Sequence, residues 1–310
     1  MKANNKANLF IVLFLLFHTL LNAQDDEKIF ERLNGLKNNG FDFYNVDGYE
    51  ISFITMSGNF DPKTISKRYR GFKLKADAIV NSDSSLPLEN YVVHKQLGTG
   101  DELEGYASYY FMKTGNKDIA AVSFVSNHVT DLAFQRHFVG LILGKKIPDN
   151  VYSSPRTDSV NFGGRKLYLG GVCHWMNPNN IQCSGNGQMN WSVCKSQEQA
   201  DFVLEQQRIS VMKQTDGKVI NDEMVDILFE GTEVKARKVI WDFTGITSVL
   251  VGMTGGKTLT IFFVSAPVRG NFISCVLSFW NNDRITKSGL APLLDEVMTI
   301  PAGIEKKEEE

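Results

Sequence analysis

Three of the four cysteines, Cys173, Cys183 and Cys194, fall close together in the chain, and that cluster is the densest set of reactive side chains in the sequence. Clustered thiols either hold a soft metal ion or oxidise to a disulfide. His174 adjoins Cys173, but neighbours on a strand point to opposite faces, and no Cys-x-x-Cys or His-x-x-x-His pair is present to converge on zinc. No metal and no cofactor is therefore expected. The expected disulfide is Cys173–Cys183, because Asn177-Pro178-Asn179-Asn180 between them can turn the chain back and set the flanking residues opposite one another. Cys183–Cys194, around Gly185-Asn186-Gly187, is the rival pairing. Cys275 alternates with Ile273, Leu277 and Phe279, which reads as a buried free thiol on a strand.

Catalytic sets are harder to find. The nucleophile elbow Gly-x-Ser-x-Gly, the zinc-protease pair His-Glu-x-x-His and the phosphate loop Gly-x4-Gly-Lys-Ser/Thr are all missing, so no catalytic residue is assigned. Asp101, Glu102 and Glu104 form one acid cluster and Asp222, Glu223 and Asp226 another. Two carboxyls can hydrolyse a glycosidic bond when they face each other across a cleft. These acids sit at expected turns and strand starts, where solvated charge is the simpler reading, and His94, His128 and His137 are scattered.

Around the cysteines, Trp175, Asn177, Asn179, Asn180, Gln182, Gln188, Asn190 and Trp191 combine aromatic faces with amide donors and acceptors. A glycan needs that combination, rings against its apolar face and amides against its hydroxyls, and a peptide would suit the same groups. The competing reading has the two rings filling the core under a long loop while the asparagines make turns.

The elements that must position these residues follow from hydrophobic period. Ile29, Phe30, Leu33 and Leu36 predict an amphipathic helix from Asp25 to Leu36, ended by Asn38-Asn39-Gly40. Strands are expected at Tyr49–Met56, Tyr91–Gln96, Gly105–Lys113 and Asp118–Ser126, then a helix over Leu132–Leu143 with Gly144 at its C-cap. Pro148–Gly164, rich in Ser, Asn, Asp and Gly, reads as a linker. After it come a strand at Lys166–Trp175, a loop or hairpin at Asn177–Cys194 and a helix at Ser196–Met212. Strands at Met224–Glu230, Lys235–Phe243, Ser248–Met253, Thr258–Ser265 and Phe272–Trp280 precede a last helix at Leu290–Met298.

Residues 1–23 have the order of a secretion signal: Lys2 and Lys6, an apolar run from Leu9 to Leu21, and Ala23 placed for cleavage. The run is shorter than the roughly 20 residues that cross a bilayer, and no later apolar stretch reaches that length, so no membrane span is expected after cleavage. Removing the signal deletes two lysines and no acid, which moves the formal charge from −2 to −4 and gives no electrostatic footprint for nucleic acid. A periplasmic or secreted location is expected.

The reading is therefore an α+β protein, antiparallel β-sheets packed with helices, in two related units in tandem after a signal peptide: 24–147 and 165–304, a linker at 148–164 and a charged tail at 305–310. Thr114-Gly115-Asn116-Lys117 and Thr254-Gly255-Gly256-Lys257, each leading into a strand, suggest the relation between the units. From Gly164 to Ile300, the order of strand-hairpin, helix, antiparallel strands and helix resembles the PsbP-like fold. That resemblance implies an accessory or binding role for the second unit, by analogy of fold alone. The expected function is a non-enzymatic binding or accessory protein of the bacterial cell envelope, with a glycan, a peptide or an envelope protein as its partner. An envelope hydrolase whose site assembles only in three dimensions is the alternative.

Overall fold

The structure, a computed structural model, describes residues 26–301 apart from 101–102, 128–129, 155–157, 246–251 and 253–255. The signal, the charged tail, Asp101, Glu102, His128, part of the Thr254–Lys257 turn and, Gly252 apart, the strand expected at Ser248–Met253 lie outside the described residues.

Helix α1 (26–32) is followed by β1 (Asn34–Asn38), β2 (Phe41–Val46), β3 (Tyr49–Ser57), α2 (Pro62–Arg68), β4 (Asn90–Gly100), β5 (Leu103–Lys113), β6 (Asp118–Ser126) and α3 (Leu132–Leu143). These strands form one antiparallel sheet in the order β1-β2-β3-β6-β5-β4. Strand alternation sends Tyr44, Ile51, Tyr110, Val122 and Phe124 to one face, where Phe138, Val139 and Leu141 of α3 cover them. Ile54, Tyr109, Phe111 and Ile119 face the other way, under Ile65, Tyr69 and Ile79 of α2 and the segment after it. The helix expected from Asp25 to Leu36 stops early, because Asn39-Gly40, with φ of 50° and 80°, closes a β1–β2 hairpin and draws Leu36 into β1. Gly144 does cap α3, its N–H bonding to Gly140, but the left-handed residue is Lys145 with φ of 52°.

A hairpin of β7 (Ser159–Phe162) and β8 (Arg165–Tyr168) comes next. Part of the expected linker is thus a strand, and Val160 and Phe162 are buried in the core. The strand expected at Lys166–Trp175 is two, β8 and β9 (Cys173–Asn177), because Gly170-Gly171 breaks the run; φ at Gly170 is 71°. The segment expected as a loop or hairpin holds the β10 (Asn180–Cys183) and β11 (Gly187–Cys194) hairpin, and β9 joins it to make a three-stranded meander. Helix α4 (Gln197–Met212) follows, its first turn capped by the Ser196 side chain accepting from the Gln199 N–H. Then come β12 (Gly217–Phe229), β13 (Thr232–Phe243), β14 (Thr258–Val268), β15 (Asn271–Trp280) and β16 (Met298–Thr299). The second sheet runs β16-β12-β13-β14-β15-β11-β10-β9.

One face of this sheet carries Trp191, Phe229, Phe262 and Leu277, covered by the β7–β8 hairpin and by the segment from Leu290 to Met298. That segment holds only one helical turn, Pro292–Asp295, instead of the expected helix. Proline permits a helix to start there, and burial on all sides, not helical period, accounts for its apolar residues. The opposite face carries Trp241, Ile261, Phe263 and Val276, with α4 laid over them. No helix among the described residues is long and apolar enough to cross a membrane.

Candidate functional site

The cysteine chemistry resolves to a Cys173–Cys183 disulfide, with the two residues directly opposite in the β9–β10 ladder and Asn179 in the left-handed turn between them (φ 58°). Cys194 and Cys275 are buried free thiols. Burial, followed by the nearby Asp47 carboxylate, pushes Cys194 up to about 12, so it stays protonated and inert near neutral pH.

The amide and tryptophan residues near the disulfide do not form one site. Trp191 is fully buried against Phe162, and Trp175 is half-buried with its indole N–H donating to the Ser154 carbonyl at 3.0 Å. Asn179 is fully buried, accepting from Asn34 and donating to Asn45 at 3.2 Å, which ties the meander to β1 and β2. Asn177 is exposed, and Asn180 and Gln182 are half-buried along β10. Gln188 and Asn190 go elsewhere. Strand period places them on the face of β11 opposite Met189, Trp191 and Val193, where they line a cleft between the two sheets.

That cleft has a volume of about 450 Å³. Its floor is the α4 face of the second sheet, built as adjacent rungs: Gln188 beside Ser278 beside Ile261, Asn190 beside Val276, and Trp241 beside Leu259. Phe243 extends the floor. Gly217 on β12 lets the Trp241 indole lie close, since a Cβ there would stand 2.0 Å from its Nε1. One wall is α4, where Val203, Gln207 and Val211 repeat at helical spacing with Ser210 beside them, and Gln214 continues it just past the helix end. The opposite wall comes from the first sheet: Asn45, Glu50 and Val125 sit side by side across β2, β3 and β6.

The β2–β3 turn holds that wall in place. Asp47-Gly48, with φ of 50° and 76°, makes the tight hairpin turn that Asp-Gly favours. The Asp47 N–H donates to the Val193 carbonyl at 3.0 Å, and Gln199 of α4 donates to the Asp47 carbonyl at 2.8 Å. Arg32 grips the Asp47 carboxylate with two bonds of 2.8 and 2.9 Å. The hairpin tip is thereby docked against β11 and α4, with Asn45 and Glu50 on either side of it.

Glu50 is the single ionisable side chain among the described residues lining the cleft. Water reaches it, yet protein surrounds it on most sides, and this desolvation holds its carboxyl above the ordinary carboxylate range. The remaining polar lining consists of amides and hydroxyls, and the Gln207 side-chain carbonyl has no hydrogen-bond partner among the described residues. Such a surface can bind and orient a small organic molecule with an apolar side and several polar groups. By contrast, the second acid cluster is spent on surface ion pairs, Asp222 with Arg237, Glu223 with Lys238 and Asp226 with Lys235. His94 bonds Ser108, His137 bonds Asp26, and His174 is exposed. Among the described residues, no group of three or more His, Cys, Asp or Glu could hold a metal ion.

Sequence reasoning missed Glu50, the Asp47-Gly48 turn and the polar stripe of α4. The turn carried a readable signal, Asp-Gly between the alternating Tyr44, Val46, Tyr49 and Ile51. On α4 hydrophobicity is a poor guide to the packed face, because Phe202 is exposed.

No family model matches the chain, and no curated protein matches it. Among solved structures, a protein from Bacteroides thetaiotaomicron aligns at 10% identity over 71% of this chain and 87% of its own, with a TM-score of 0.27. The di-domain ARO/CYC StfQ from the steffimycin biosynthetic pathway aligns at 10% identity over 85% and 77%, with a TM-score of 0.16. The di-domain ARO/CYC BexL from the BE-7585A pathway aligns at 8% identity over 86% and 82%, with a TM-score of 0.15. Likeness at this level carries no inference about this chain.

Proposed function

We propose that the protein is an exported, non-enzymatic binding module of the cell envelope, and that its ligand is a small organic molecule held in the cleft between the two sheets. The observation that carries the proposal is the lining itself, which sets amides and hydroxyls from both sheets and α4 around an aromatic and aliphatic floor. The disulfide and the signal-like order of residues 1–23 support a location outside the cytoplasm. A PsbP-like kinship of the second unit belongs to the same proposal and implies an accessory role by analogy of fold. Hydrolysis, the alternative, requires two titratable groups converging on one cleft, whereas the described lining offers Glu50 by itself.

The test is a thermal-shift screen of short saccharides and of di- and tripeptides against the wild type and Ser210→Trp. Ser210 is exposed on α4 at the cleft, so an indole there obstructs the cleft while leaving the core intact. Ligands that bind the folded state raise Tm. Such shifts should be present in the wild type and absent in Ser210→Trp; shifts that persist in the variant, or a screen without any, would count against the cleft.

A further inference from the structure

The charge balance of the cleft narrows its ligand. We infer that the ligand presents a primary ammonium group to Glu50 and lays an apolar flank on the floor formed by Trp241, Phe243 and Leu259. This rests on the cleft being the ligand site.

Three observations carry it. The described lining contains one carboxylate and no lysine, arginine or histidine. An anion entering there would lose hydration and meet like charge, whereas a cation would meet an opposite one. Arg32, which holds the hairpin tip, is already neutralised by its two bonds to Asp47. Second, the lining holds one acceptor and one donor that find no partner among the described residues, the Gln207 side-chain carbonyl and the Trp241 indole N–H. An ammonium brings three N–H donors with no acceptor of its own. Third, Trp241 and Phe243 give the floor aromatic area that can cover an apolar flank of the ligand. The desolvation that raises the Glu50 carboxyl agrees with this, because an ammonium beside it would favour the ionised form and offset the raise.

Three probes of one shape separate the alternatives: 2-phenylethylamine, 2-phenylethanol and phenylacetate, titrated against the full-length protein by tryptophan fluorescence and by ligand-observed NMR. The amine should bind at least about tenfold more tightly than the alcohol, with phenylacetate weakest. Glu50→Gln should bring the amine down to the level of the alcohol, and Ser210→Trp should abolish binding of all three. Equal binding of amine and alcohol, or an amine preference that survives Glu50→Gln, would overturn the ammonium assignment while leaving the cleft as the site. If none of the three binds at concentrations up to about 10 mM, the cleft reading fails, and this inference fails with it.

Discussion

Glu50 shows how one side chain ties the site to stability. Desolvation raises its folded pKa above the unfolded value near 4.5, so folding favours the protonated form. Its contribution is fully present below the unfolded pKa and is lost as pH rises through the folded one. Glu50→Gln removes that loss. Melting curves across the acid range should show the variant gaining on the wild type with rising pH until a plateau near neutrality; a wild type as stable as the variant at pH 7 would contradict the desolvation of this partly exposed carboxyl. The disulfide acts differently, by restricting the unfolded chain and fastening β9 at the edge of the sheet to β10. Replacing Cys173 and Cys183 together by alanine should lower stability by about 2–4 kcal/mol, read from urea titrations with m fitted separately for each protein.

At the scale of elements, the β2–β3 hairpin is the part that turns two sheets into a cleft. Arg32 and Asp47 are largely buried, with side-chain exposures of 12% and 6%, so removing one strands the other without water to solvate it. Arg32→Ala should cost about 3–5 kcal/mol and raise hydrogen exchange in β2 and β3 above that in β12 and β13. Uniform exchange, or an unchanged Tm, would show that the tip is held by other means. Most strands were legible in the sequence for a local reason: in β15, Ile273, Cys275 and Leu277 alternate with Ser274, Val276 and Ser278, and one face is core while the other meets α4 and the cleft. The disulfide was legible because the Asn-rich turn between its cysteines forces them opposite. The cleft was not. Its polar members run from Asn45 to Ser278, each ordinary in its own segment, and only the docking of two sheets gathers them. Composition also merged what period 2 separates, since Asn190 and Trp191 are adjacent in sequence and face opposite sides of β11.

For the whole molecule, the junction between the sheets is a buried amide chain as well as a docked hairpin. Asn34, Asn45 and Asn179 are almost fully buried, and Asn179 bonds both of the others. Asn179→Ala would leave two buried amides short of a partner, at about 1–3 kcal/mol, and would add backbone strain at a positive φ. Asn179→Gly relieves the strain but not the loss, so glycine should recover only part of the stability in denaturant titrations. If glycine restores all of it, the amide chain does not hold the junction. Binding at that junction is the central claim, and side-chain amide NMR tests it most directly. A bound amine probe should shift the side-chain amides of Gln188, Asn190 and Gln207 and the indole N–H of Trp241, leaving those of Asn177 and Gln182 in place. Shifts confined to Asn177 and Gln182 would put the ligand on the disulfide meander and contradict the account.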